Sequence, residues 1–192
     1  MTSIIDKWNI IYSQSDHSDY EIAAVLTEHG FLLPNAGTAL DLACGLGGNA
    51  IFLAQRGLLV TALDISSVAI EKLHHYASQH QLAINAYQQQ ITPDSLKPAS
   101  FDVIIVSRFL DRTLMNAIID ALRLNGLLFY QTFTREKATP TPPHNPDYLL
   151  TKNELLTLFA PLSVVFYQEN ALIGQHQHGL RNEAQFIGQK TG

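Results

Sequence analysis

Between Ala39 and Ala50 the chain reads ALDLACGLGGNA. Gly45 and Gly47 are one residue apart, Ala50 follows at the third position, and Asp41 stands four residues ahead of Gly45. Glycines in a turn between a strand and a helix let the backbone approach a ligand closely. The spacing matches a dinucleotide fingerprint, and Asp64 follows at a distance suited to gripping vicinal ribose hydroxyls. Asp41 separates the possible ligands. A pyrophosphate needs free N–H groups at a helix N-terminus, and a carboxylate beside it repels it. A ligand bearing an ammonium and a sulfonium attracts that carboxylate, and S-adenosyl-L-methionine carries both. Two bland alternatives stay open: Asp41 caps the turn, and Asp64 caps the helix that starts near Ser66.

Other residues bear on a second reactant. Ser107, Arg108, Phe109 and Arg112 follow one strand, and Thr132, Phe133 and Arg135 end another. Arginines on one rim favour an anionic acceptor; the alternative is that Arg108 or Arg112 pairs with Asp111 or caps structure. Trp8 and Tyr12 form an aromatic lid in one reading, since aromatic faces attract a sulfonium, or belong to the core in the other. No residue announces a general base. His176 and His178 in GQHQHG are read as solvated rather than metal-binding, so no metal is expected. Cys44 has no partner base and is read as packing in the turn.

These residues need a scaffold, and the pattern supplies one. Short apolar runs without alternation, Thr38–Leu42, Leu58–Leu63, Phe101–Val106 and Leu127–Phe133, read as strands covered on both faces. Ile84–Gln89 is a weaker strand. Helices are expected at Gly48–Arg56, from Ser66 or Ser67 through His80, and at Arg112–Leu124. Such alternation means an α/β fold with an open, mostly parallel sheet and helices on both faces. Two helices precede it, near Ile5–Tyr12 and at Tyr20–His29, with Gly30 as a stop. A proline-rich loop, TREKATPTPPHNPDY, is long enough to cover a site. Thr151 and Glu154 form a capping box for a helix over Thr151–Phe159. Strands Ser163–Gln168 and Glu183–Gly188, joined without a helix, give an antiparallel end to a seven-stranded sheet.

Composition bounds the function. The 192 residues suit one domain. A net charge of −5 argues against nucleic acid or an anionic membrane as partner. One cysteine fits a reducing compartment, and neither a signal peptide nor a membrane span is apparent. The expectation is a soluble cytoplasmic protein, monomer or homodimer, with a small-molecule acceptor.

Together Asp41-x-x-x-Gly45-x-Gly47, Asp64, Phe101-Asp102-Val103-Ile104 and Leu122-Arg123-Leu124-Asn125-Gly126 resemble the ordered motifs of class I S-adenosylmethionine-dependent methyltransferases, which have a Rossmann-like sheet. DLACGLGGNAIFLAQRG with LDIS, and Trp8-Asn9-x-x-Tyr12, is similar to the small bacterial tellurite-resistance type. The resemblance implies one methyltransferase domain over 1–192: a helical lid in 1–35, a cofactor core in 36–133, and the loop and C-terminal strands in 134–192. It implies that Ala43, Cys44 and Gly45 meet the methionine end with Gly47 closing the turn. Asp41 would take the amino group, Asn49 the loop or the carboxylate, Asp64 the ribose, and Ile65 the adenine face. Gln90, with Ile91 beside it, stands where the family has an acidic residue for the adenine amino group. Ser107 would lie under the reacting methyl group, and Trp8, Tyr12, Arg108, Arg112 and Arg135 would face the acceptor. The acceptor is expected to be a small molecule, with a thiol or a chalcogen oxyanion as candidates. The competing readings are an NAD-dependent oxidoreductase and a non-catalytic S-adenosylmethionine-binding module. The segment PPHNPDY lies after the fifth strand and in the wrong order for the Asn-Pro-Pro-aromatic motif of DNA amino methyltransferases.

Overall fold

The computed structural model describes residues 3–15 and 20–192. Seven strands form one sheet: β1 (Gly37–Leu42), β2 (Leu58–Asp64), β3 (Ile84–Gln88), β4 (Phe101–Ser107), β5 (Leu122–Phe133), β6 (Ser163–Gln168) and β7 (Glu183–Gln189). Their order is β3-β2-β1-β4-β5-β7-β6. β7 runs antiparallel to both neighbours, and the other pairs are parallel. Chain order reverses between β1 and β4, so their carboxyl ends flank the crevice where open α/β sheets bind ligands.

Alternation along the strands builds two apolar layers. Ala39, Val60, Val103, Ile105 and Phe129 face one layer, beneath α2 (Ala24–His29), α3 (Gly48–Ala54) and α4 (Ser67–Gln79). Leu40, Leu42, Ile104, Val106, Leu128 and Tyr130 face the other, against α5 (Met115–Ala121) and α6 (Glu154–Leu158). Each fully buried leucine contributes about 2 kcal/mol, so both faces are closed by burial rather than by charge.

α1 (Ile4–Ser13) is built differently. A capping box between Ser3 and Asp6 starts it, yet none of its residues is fully buried. Polar clamps hold it on α4: the Ser66 hydroxyl donates to Asn9 Oδ1 at 2.7 Å, and Lys72 Nζ donates to the Tyr12 and Ser15 carbonyls at 2.7 and 2.6 Å. Residues 16–19, inside the expected lid segment, lie outside the described residues.

Three expectations need correction. Tyr20–Ala23 is not helical: the Ala23 N–H goes to the Asn49 side chain (below), and α2 starts only at Ala24. The helix expected over Arg112–Leu124 is a single 3₁₀ turn followed by α5, which ends at Ala121. Leu122 instead pairs with Phe101, so β5 begins there and is interrupted by an irregular register before Val103 meets Leu127. α6 starts at Glu154, since Asn153 adopts a left-handed φ of 61°; Glu154 still accepts from the Thr151 N–H at 2.6 Å.

Candidate active site

The loop after β1 is held by backbone and by two buried carboxylates. Ala43, Gly45 and Gly47 have φ of 57°, 52° and 82°. Ala43 is a departure, since only glycine enters that region without strain. Asp64, at the end of β2, accepts from the Gly45 N–H at 2.8 Å through Oδ2 and from the Ser66 N–H at 2.9 Å through Oδ1. A carboxylate has about four lone-pair positions, so each oxygen keeps room for a hydroxyl. Asp41 turns under the loop, where Oδ2 accepts from the Ala50 N–H at 2.9 Å. Its Oδ1 is buried and meets no hydrogen-bond donor among the described residues. Burial, with the Asp64 charge adding to it, pushes the Asp41 carboxyl up to about 7 against the pull of the Ala50 N–H and of the neighbouring Asn49 side chain. Burial likewise raises Asp64, and it raises the Cys44 thiol well above its ordinary value.

Tyr12 sits on this loop: a Cβ added to Gly45 would fall 2.8 Å from its phenol oxygen. Burial and the nearby Asp64 push its phenol pKa up. Trp8 stacks on Tyr12 with ring centroids 5.5 Å apart. Both were expected on the acceptor side. The structure puts Tyr12 against the glycine loop with Trp8 outside it, because α1 is clamped to α4 beside the cofactor crevice.

Past β3, the Gln89 N–H donates to the Asp64 carbonyl at 2.7 Å, and Gln88 Nε2 reaches the Ile65 carbonyl at 3.3 Å. Gln90 is exposed, while Ile91 packs on the apolar layer that holds Leu96. Asn49 serves a partner not foreseen. Its Oδ1 accepts from the Ala23 N–H at 2.8 Å, tying the segment before α2 to the helix after the glycine loop.

The acceptor side lies over β4, β5 and β7. Ser107 ends β4 opposite Gln131. Arg108 then takes a left-handed φ of 53° and donates its N–H to the Gln131 carbonyl at 2.8 Å. Its guanidinium pairs with Glu183 at 3.2 Å and with Glu21. Burial works against that charge, and the two carboxylates outweigh it. Gln131 is buried: Oε1 accepts from the Val25 N–H at 2.8 Å, and Nε2 donates to Glu183. Arg112 is corrected. It binds Glu154, not Asp111, through Nε at 2.6 Å and Nη2 at 3.1 Å, and it also reaches the Asp147 and Leu149 carbonyls. Those bonds brace the loop onto α6 and leave little for a ligand. Arg135 is exposed, with its N–H on the Leu150 carbonyl. His176 rests on the Leu172 carbonyl. Among the described residues no group of three or more His, Cys, Asp or Glu is placed to hold a metal, and no helix is long and apolar enough to cross a membrane.

Sequence reasoning missed Glu21, Gln131 and Glu183. The only local signal was Glu-x-Gln opening the last strand, which puts Glu183 and Gln185 on one face.

The orphaned, buried Asp41 oxygen beside a glycine turn, with Asp64 at the next strand end, fits an adenosine ligand with a cationic amino-acid tail. The methyltransferase-domain family model matches residues 39–126. The chain is 30% identical over 103 residues to the ubiquinone biosynthesis O-methyltransferase of Idiomarina loihiensis, an alignment covering 50% of this chain and 42% of that enzyme. The fold matches TehB from Haemophilus influenzae with a TM-score of 0.69 and 20% identity, over 97% of this chain and 67% of that one. It also matches, at a TM-score of 0.72 and 19% identity, the structure described as conversion of a disulfide bond into a thioacetal group during echinomycin biosynthesis, over 98% and 93% of the two chains. Residues 39–126 thus match a methyltransferase domain, and in its motifs, its sheet order and these matches the chain resembles the class I S-adenosylmethionine-dependent methyltransferases.

Proposed function

We propose that this chain, acting as one domain in the cytoplasm, moves a methyl group from S-adenosylmethionine to a small-molecule acceptor. The observation that carries the reading is Asp41 Oδ1, buried with no hydrogen bond from the described residues while Oδ2 holds the helix after the glycine turn. An ammonium group supplies the missing donor; a pyrophosphate does not. In this reading Asp41 takes the amino group, and Ala43, Cys44 and Gly45 line the methionine end by their backbone. Asp64 holds the ribose while keeping Gly45 in place, and Ile65 covers the adenine. Gln90 and Ile91 flank the adenine edge, and Ser107 lies toward the reacting centre.

The bound cofactor supplies a methyl group already activated on a sulfonium. The acceptor's lone pair forms the new bond to that carbon as the carbon–sulfur bond breaks, and the sulfur keeps the electron pair. The chain's residues therefore have to align two reactants and keep water out, which is where most of the rate gain arises. An acceptor that arrives ionised, such as a thiolate or chalcogen oxyanion, needs no base. The matched structure concerned with converting a disulfide bond into a thioacetal group supports a sulfur acceptor, and the Idiomarina O-methyltransferase supports an oxygen acceptor.

Calorimetric titration with S-adenosylhomocysteine, and with NAD in parallel, tests the reading. Binding of the first alone is expected. Binding of NAD alone would overturn it.

A further inference from the structure

Arg108 is held by two carboxylates of unlike character. Glu183 has a side chain 11% exposed and is also bound by the buried Gln131 amide, so it has nowhere to go. Glu21 has a side chain 67% exposed and pairs with Arg108 alone among the described residues. Exposed pairs of this kind contribute little net stability, so this carboxylate leaves easily.

The backbone under Glu21 does not leave with it. A Cβ on Gly48 would fall 2.2 Å from the Glu21 carbonyl oxygen, so the two backbones are in direct contact. Asn49 and Gln131 then fix the Ala23 and Val25 N–H groups. Glu21 is thus stationed at the first turn of α3, and its side chain crosses to the residue after β4. That span lies over the β1–β4 crevice, next to the glycine loop. Charge completes the argument. Two carboxylates on one guanidinium leave the cluster with a net negative charge, so an arriving anion is repelled unless one of them moves away.

We propose that Glu21 is a removable stand-in for the acceptor's own anionic group. The acceptor carries a carboxylate or a comparable oxyanion, which replaces Glu21 on Arg108 while Glu183 keeps the guanidinium aimed. This rests on the methyltransferase reading and narrows its substrate class. Glu21 becomes a specificity-determining residue with which a carboxylate acceptor competes for Arg108, while a neutral acceptor neither displaces it nor gains from its removal.

The test is calorimetric titration of benzoate and mercaptoacetate, each against its neutral amide, with and without saturating S-adenosylhomocysteine. Glu21→Gln is expected to tighten both carboxylates about fivefold, the scale of an exposed ion pair, and to leave both amides unmoved. Arg108→Gln is expected to erase the preference for carboxylate over amide. Equal carboxylate affinity in wild type and Glu21→Gln overturns the proposal. So does a Glu21→Gln protein that binds neither carboxylate, or binds acid and amide alike. Failure of S-adenosylhomocysteine to bind wild type would strike the methyltransferase reading instead, and the titrations without it would still report on Glu21.

Discussion

The two banks of the β1–β4 crevice are made of different material. On the β1–β2 bank, backbone N–H groups of Gly45, Ala50 and Ser66 close on buried carboxylates. On the β4–β5–β7 bank, side chains meet side chains: Arg108 with Glu21 and Glu183, and Gln131 with Glu183 and Gln185. Main chain cannot be altered by a point substitution without moving the fold, whereas a side-chain cluster can. The first bank suits a ligand that stays constant, and the second suits one that varies between relatives.

The sharpest way to break this contrast is Gly48→Val, which drives a side chain into the Glu21 carbonyl where both sides are backbone. We expect roughly 3 kcal/mol of lost stability, the upper range for overpacking, read by chemical denaturation. An undiminished midpoint would show that residues 21–25 are not seated on α3.

Asp41→Asn comes next. Losing a charged hydrogen-bond acceptor should weaken S-adenosylhomocysteine roughly ten- to a hundredfold, the scale of about 1.5–3 kcal/mol, in a calorimetric titration. Wild-type affinity should also fall as pH drops below about 7, where Asp41 takes up a proton. Stability runs the other way. The folded pKa lies above the unfolded 3.8, so the folded state binds the extra proton, and stability falls as pH rises from about 4 to about 7. Asp41→Asn should flatten that slope, and an unchanged slope would move the titration elsewhere.

Arg112→Met sharpens the second bank. Burial raises the Glu154 carboxyl, but Arg112 and the Thr151 N–H outweigh it and bring it to about 2. Glu154 therefore adds stability above pH 4.5, lost as pH falls toward 2. The variant should cost about 1 kcal/mol near neutral pH, discounted for a part-exposed pair, and leave S-adenosylhomocysteine affinity alone. A drop in that affinity would show that the Arg112–Glu154 brace reaches the cofactor crevice. The smallest effect is expected for Trp8→Ala, which loosens Tyr12 over Gly45. S-adenosylhomocysteine should dissociate a few-fold faster in stopped flow, in proportion to one lost aromatic contact of about 1 kcal/mol.

The difference between the banks also explains what could be read from sequence. Asp41, Gly45 and Gly47 lie within seven residues, and Asp64 ends the next strand, so local spacing alone assembles that bank. Glu21, Arg108, Gln131 and Glu183 are separated by up to 162 residues in the chain, and nothing local marks them as neighbours. Arg108 was singled out, but its partners were not, because pairing across β5 and β7 decides them. Leu122 failed for a related reason. Its apolar spacing continued that of Ile118 and Ile119, and only the partner Phe101 on β4 turned it into strand.

The sheet order has one more consequence, for the order in which the protein can be assembled. β6 precedes β7 in the chain, yet β7 lies between it and β5. During synthesis β6 emerges with no neighbour to bond, and β5 presents an open edge, until residue 183 and its successors arrive. Open edges of apolar strands invite pairing with other chains. β6, SVVFYQ, carries no charge to deter this. The interval between those two segments, rather than the finished fold, is where a nascent chain is most exposed to aggregation, and the strand that ends the exposure is the one that delivers Glu183 to Arg108.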